Sequence, residues 1–163
     1  MKAIFRSIIF CLTLLIGLTA CDDKHVKMPS TGGLDHAEKL IEGVYVGTWS
    51  STNTATGETT TATGTVTFSS NDELGNNVVG ITIISDDTKA VNLGAKSDTS
   101  ACNVSKLSSD VLSFWNVYSL NPFGFTFTGK VTPEGEATLN FETSVVKNHK
   151  QTIFNVEFVG HKQ

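Results

Sequence analysis

From residue 43 onward, apolar and polar positions alternate with a period of two, as in strands that bury one face. Segments rich in Val, Ile, Phe, Tyr and Thr cover residues 44–49, 59–69, 78–84, 89–93, 112–119, 123–131, 137–145 and 152–159. Turn residues separate them: Thr56-Gly57, Asn71 through Gly75, Asp86-Asp87, Asn121-Pro122, Pro133-Glu134-Gly135 and Asn148-His149. Residues 94–110 form the one long connection, expected as a loop or lid over one end. Ahead of the strands, Leu34, Ala37, Leu40 and Ile41 fall on one side at helical spacing, which predicts a short helix over residues 34–41, stopped by Gly43. No helical pattern lies between the strands, so parallel βαβ units are out. The expected fold is all-β: eight antiparallel strands in up-and-down order after a short N-terminal helix. Eight strands either close into a barrel, which abolishes sheet edges, or split into a two-sheet sandwich. The barrel is the expectation and the sandwich the alternative.

The first twenty residues follow a different pattern. Lys2 and Arg6 precede an apolar run over residues 8–18, the length of a signal-peptide core and too short to cross a bilayer as a helix. It ends in Leu18-Thr19-Ala20-Cys21, and the chain then turns polar at Asp22, Asp23 and Lys24. This motif resembles the bacterial lipobox. The resemblance implies that residues 1–20 are removed, that the Cys21 thiol receives a diacylglycerol, and that the new amino terminus is acylated. One acyl chain holds a protein only marginally, but further chains, at about 0.8 kcal/mol per buried methylene, make the anchor permanent. The implied location is the cell envelope of a Gram-negative bacterium. An aspartate after the lipidated cysteine resembles an inner-membrane retention signal, while an acidic cluster there resembles an export signal to the outer surface; the expectation is the outer membrane. Residues 21–33, polar and carrying Pro29 and Gly32-Gly33, read as a lipidated tether with a reach of roughly 40 Å. Residues 34–163 then make one domain, long enough for a real core.

Charge narrows the partners. Without Lys2 and Arg6 the basic count falls from 12 to 10 against 16 acids, a net charge of −6, and Arg6 is the sole arginine of the sequence. The mature domain therefore has no guanidinium fork for phosphate or carboxylate, and nucleic acid is not an expected partner. Of the three cysteines, Cys11 leaves with the signal and Cys21 is modified, so Cys102 stands alone and is expected as an inert, buried thiol.

On the first strand, Gly47-Thr48-Trp49 resembles the G-x-W signature of the calycins, the superfamily of lipocalins and fatty-acid-binding proteins. In that superfamily the tryptophan closes one end of the barrel and a basic residue late in the last strand lies across it. The resemblance thus implies barrel closure by Gly47, Trp49 and Lys162, the latter sharing a face with Phe154, Val156, Phe158 and Gly160. A lysine ammonium over the indole would be worth about 0.5–2 kcal/mol. The whole chain also resembles the calycin-like lipoproteins of Gram-negative bacteria.

A calycin barrel would place Trp49, Phe68, Phe114, Phe125, Phe127, Phe141, Phe154 and Phe158 around its interior as candidate ligand-binding residues. Eight strands leave an interior that its own side chains just fill, or that holds one small ligand, and both fillings stay open. Conventional catalysis finds little to build on. His25, His36, His149 and His161 have no metal-ligand spacing, and no nucleophile elbow, P-loop or dinucleotide fingerprint occurs. No cofactor, metal or catalytic residue is expected. The leading expectation is a non-enzymatic, lipid-anchored barrel that binds a small apolar or amphiphilic molecule. The alternative is a solidly packed module that holds an envelope protein or glycan through residues 94–110, Trp115 and Tyr118.

Overall fold

A computed structural model of the chain describes residues 36–70, 72–93, 97–107, 109–117 and 125–163. The expectations for the signal segment, Cys21, the tether, Leu34, Tyr118 and Asn121-Pro122 lie outside them. Residues Gly32–Gln163 form a compact unit of their own. One helix, α1 (Ala37–Ile41), precedes eight strands: β1 (Gly43–Asn53), β2 (Thr59–Ser69), β3 (Val78–Ser85), β4 (Ser97–Lys106), β5 (Leu112–Asn116), β6 (Phe127–Val131), β7 (Glu136–Lys147) and β8 (Lys150–Lys162). A 3₁₀ turn, Asp72–Leu74, links β2 to β3. The strands pair in sequence order, all antiparallel, and β1 pairs with β8 to close a barrel. The all-β, up-and-down reading holds, and the sandwich is excluded by the β1–β8 ladder from Tyr45↔Lys162 to Asn53↔Phe154.

Two elements differ from the sequence reading. Residues 89–93 are not a strand. The Asp87 carboxylate accepts the backbone N–H groups of Lys89 and Ala90, both at 3.0 Å, and Leu93 N–H reaches Thr88 O at 2.9 Å. An aspartate that satisfies its own downstream backbone competes with strand pairing, and here the turn wins. Nor are residues 94–110 a long loop, because Ser97–Lys106 is β4, bonded to both β3 and β5. Its inward positions are Ser100, Cys102 and Val104, all small, so it lacks the large apolar alternation that marks the other strands.

The hairpin turns follow local chemistry. Asn148 and His149 have φ of 51° and 62°, the two left-handed positions of a two-residue I′ turn between Lys147 and Lys150. In α1 the buried face also differs from expectation: Ala37, Glu38 and Ile41 are buried, while Leu40 is half exposed. Glu38 goes inward because it has partners there. Its carboxylate accepts Asn77 N–H at 2.9 Å and pairs with His36 Nδ1 at 3.0 Å, while Ala37 N–H donates to the Asn77 side chain at 3.1 Å. Charged hydrogen bonds thus clip α1 over one end of the barrel. At its far end, the Tyr45 hydroxyl donates to Ile41 O at 2.8 Å and Lys162 Nζ approaches Leu40 O at 3.5 Å.

Burial pushes the Glu38 carboxyl up, but the bonds from Asn77, from its own N–H and from His36 outweigh it, so its pKa lies below the ordinary 4.5. A depressed folded value stabilises the fold fully above 4.5, and this contribution is lost as pH falls through the folded value. Glu38→Gln should therefore cost about 1–2 kcal/mol at pH 7 and flatten the acid limb of stability against pH. Urea unfolding at pH 7 and pH 4 checks it; equal losses at both would remove the clip's charge dependence.

Candidate functional site

The two ends of the barrel are built differently. At the α1 end and through the middle, rings fill the interior. Tyr45 meets Phe68 edge-on with centroids 5.5 Å apart, Phe68 meets Phe114 at 4.8 Å, and Trp49 lies against Phe158 at 4.9 Å. The Trp49 indole N–H donates to Ile84 O at 2.9 Å, which holds the ring in one pose. Glycines on facing strands make room for these rings. A Cβ on Gly64 would stand 2.7 Å from Trp49 Nε1, and one on Gly129 would collide with the Phe114 ring. Ala37 and Ile41 of α1 seal this end, both fully buried. Burial also lifts the Tyr45 hydroxyl to about 12, so it stays a neutral donor.

Register decides the fate of the expected barrel-closing set. Gly47 faces Gly160 and Trp49 faces Phe158 along the β1–β8 seam, with Trp49 midway along the ladder and not at an end. Lys162 does not cover Trp49. It pairs with Tyr45, four residues nearer the α1 end, and its ammonium sits 5.9 Å from the Tyr45 ring centroid. Trp49 therefore lies in the middle of the barrel and α1 with Tyr45 makes the floor.

The opposite end, called the mouth below, is covered less completely. Phe125 and Phe154 are only partly buried, packed against the core from its rim, and Phe125 stacks on Phe141 at 3.8 Å with the planes 9° apart. On the β1–β2 side the turn after β3 drops into this mouth: Val91 and Leu93 are buried, Asn92 Nδ2 donates to Ser51 Oγ at 3.0 Å, and the Thr60 hydroxyl bonds Ala90 O. The segment that packs over this end is thus this turn, whereas residues 97–106 of the expected loop are a ladder strand. The eight expected ligand residues divide accordingly. Trp49, Phe68, Phe114, Phe127, Phe141 and Phe158 are buried in the core, whereas Phe125 and Phe154 are only partly buried. Phe123 lies outside the described residues.

Sequence reasoning missed the polar groups among these rings. Ser51 and Asn116 are almost fully buried, and Asn116 Oδ1 accepts Phe127 N–H at 3.1 Å. Asn116 shares the parity of Leu112 and Phe114, so a polar residue at the third inward position of β5 was the available signal. Buried Ser51, Ser85, Ser100 and Asn116 are all uncharged, and the buried charge that the described residues do carry, Glu38, belongs to the helix clip. Cys102 is fully buried and desolvation drives its pKa up, which keeps it a protonated thiol. Among the described residues no three His, Cys, Asp or Glu side chains gather to hold a metal ion. Asp86 bonds the Thr63 hydroxyl and Asp87 caps its own turn.

Outside the barrel, a depression of about 340 Å³ lies on the β1–β8–β7 wall, lined by Ser50, Thr52, Asn140, Asn155 and Glu157. Trp115, on the outer face of β5, is 39% exposed.

Gly129→Ala should cost about 3 kcal/mol or more in urea unfolding, since the added methyl meets both the Phe114 ring and the Thr138 backbone carbonyl; a loss under about 1 kcal/mol would show that this part of the interior is loosely packed. Cys102 should stay silent to a thiol reagent at pH 8 until the barrel is unfolded; rapid labelling of the native chain would show that β4 opens readily. A scan against models of known protein families and a search of curated proteins find no match to this chain.

Proposed function

We propose that this chain is a lipid-anchored envelope protein, held through Cys21, whose barrel takes a small apolar or amphiphilic molecule at the mouth opposite α1. One observation carries the binding half of this reading: a closed barrel sealed at one end presents partly buried Phe125 and Phe154 beside the stacked Phe141 at the other. Rings at a rim can trade contact with water for contact with a ligand without unpacking the core. The turn carrying Val91 covers part of that rim and is held by local backbone bonds, by the Thr60 hydroxyl on Ala90 O, by Asn92 on Ser51 and by the buried Val91 and Leu93, but it pairs with no neighbouring strand. Such a segment moves at lower cost than a ladder strand. Binding rather than catalysis fits an interior whose buried polar groups are neutral and whose thiol is protonated. The anchoring half rests on the basic start, the short apolar run and Leu18-Thr19-Ala20-Cys21. The same motif supports an outer-membrane location with Asp22 and Asp23 following the cysteine.

A second reading is supported by the outer depression. Its hydroxyls, amides and the Glu157 carboxylate suit a polyhydroxylated glycan, which needs many acceptors and donors on a shallow wall. In that case Asn155→Ala and Glu157→Gln would abolish glycan retention and leave the mouth untouched.

Native mass spectrometry of the chain from Asp22 onward, made in a bacterial host, should show a copurifying small molecule that Phe125→Ser/Phe154→Ser loses. A domain that emerges empty and excludes apolar dyes would count against the mouth. Separately, an alkyne fatty acid fed to cells should label the wild-type protein and not Cys21→Ala; an unlabelled wild type would refute the anchor.

A further inference from the structure

Along β8 the outward side chains run Ile153, Asn155, Glu157 and Val159. The ladders on either side of β8 extend the two polar positions into rows across three strands. Ser50, Glu157 and Asn140 form one row, and Thr52, Asn155 and Glu142 the next. Two strand steps by two residues make this grid about 10 Å wide and about 7 Å tall. Ser50 and Thr52 are short where Glu157 and Asn155 are long, and the wall sinks there into the depression of about 340 Å³. That volume lies within the range of small-molecule sites, about 300–1,000 Å³. Exposed Ile153 and Val159 border the grid along β8. Among the described residues, no hydrogen bond or ion pair within the protein engages the side chains of Ser50, Asn140, Glu142, Asn155 or Glu157. Around Glu157 the register places Thr48, Ser50, Thr52, Thr138, Asn140 and Glu142, with no lysine or histidine among them. Its charge is therefore unbalanced on the wall, and Glu142 on the diagonal, about 7–8 Å away, adds to it.

We propose that this depression takes an amino sugar in its ammonium form, with Glu157 as the counter-charge and Asn140 and Asn155 bonding the hydroxyls. This rests on reading the outer wall as a glycan site and adds the charge of the glycan. Side-chain amides both donate and accept, which matches sugar hydroxyls that do the same. A carboxylate only accepts, and an ammonium brings it three charged donors that the grid itself lacks. The aliphatic side chains of Ile153 and Val159 suit the C–H faces of sugar rings at the margins. A sugar acid meets the opposite situation: Glu142 and Glu157 repel it and no cation in the grid receives it.

Three probes separate the contributions: the β-1,4-linked glucosamine trimer, its fully N-acetylated counterpart, and spermidine, which has amines and no hydroxyls. Each is titrated into the full chain, purified in a neutral detergent, at about pH 6, where the carboxylates are ionised and the amines protonated. The readout is the side-chain amide resonances of Asn140 and Asn155. Both should move with the glucosamine trimer, which should bind about five- to ten-fold more tightly than the acetylated one. Raising salt from about 0.05 M to about 0.5 M should remove that advantage in the wild type. Glu157→Gln should remove it too, weakening the amine trimer about five- to ten-fold and leaving the acetylated trimer within about two-fold. Glu157 is exposed, and unaltered resonances elsewhere would verify the variant's fold. The acetylated trimer binding as tightly as the amine at both salt concentrations would overturn the ammonium while sparing the wall as a glycan site. Spermidine binding as tightly as the glucosamine trimer would overturn the sugar and leave charge alone. Silence of Asn140 and Asn155 towards both trimers would overturn the glycan reading of the wall and the amino sugar with it.

Discussion

The ladder between the first and last strands is the constraint on which the rest of this molecule depends. It runs from Tyr45↔Lys162 to Asn53↔Phe154 and turns an eight-stranded ribbon into a ring without edges. Because side chains alternate along each strand, closure sends one parity of all eight strands inward together. The same ladder sets depth. By pairing Trp49 with Phe158 and Tyr45 with Lys162, it drops the indole into the middle of the barrel and leaves the lysine at the rim, over a tyrosine.

From that closure follows the difference between the two ends. The α1 end combines large rings with facing glycines, and rings seated on glycine backbone leave little to rearrange. The helix over it is too short to be stable alone and is held by its ends: Glu38 and Asn77 at one, Tyr45 and Lys162 at the other. The other end instead carries the partly buried Phe125 and Phe154 and is covered by the turn of Val91 and Leu93, which Thr60 and Ser51 hold in place.

Much of the fold was legible because strand alternation survives wherever the inward residues are large. The strands carrying Trp49, Phe68, Ile81, Phe114, Phe127, Phe141 and Phe158 were all anticipated, with ends displaced by a few residues. β4 escaped because Ser100, Cys102 and Val104 give a weak apolar signal, and residues 89–93 misled because Val91 and Leu93 alternate with polar neighbours although Asp87 bends the backbone. Helix spacing put Leu40 on the buried side, yet Glu38 took that place once Asn77 offered it a backbone N–H. The candidate site was half legible: phenylalanine parity named the interior, but not which rings reach a rim.

By itself, the sequence determined an all-β chain with seven of its eight antiparallel strands behind a short helix, because period-two alternation and turn residues are local properties that need no partner. It also determined which rings share the inward parity. Only the tertiary structure decided that the ribbon closes, where Lys162 lands, which end α1 seals, and that Asn116 keeps an unpaired donor among aromatic rings. Those outcomes depend on register between strands far apart in the chain, and register is set by how side chains from all of them pack at once.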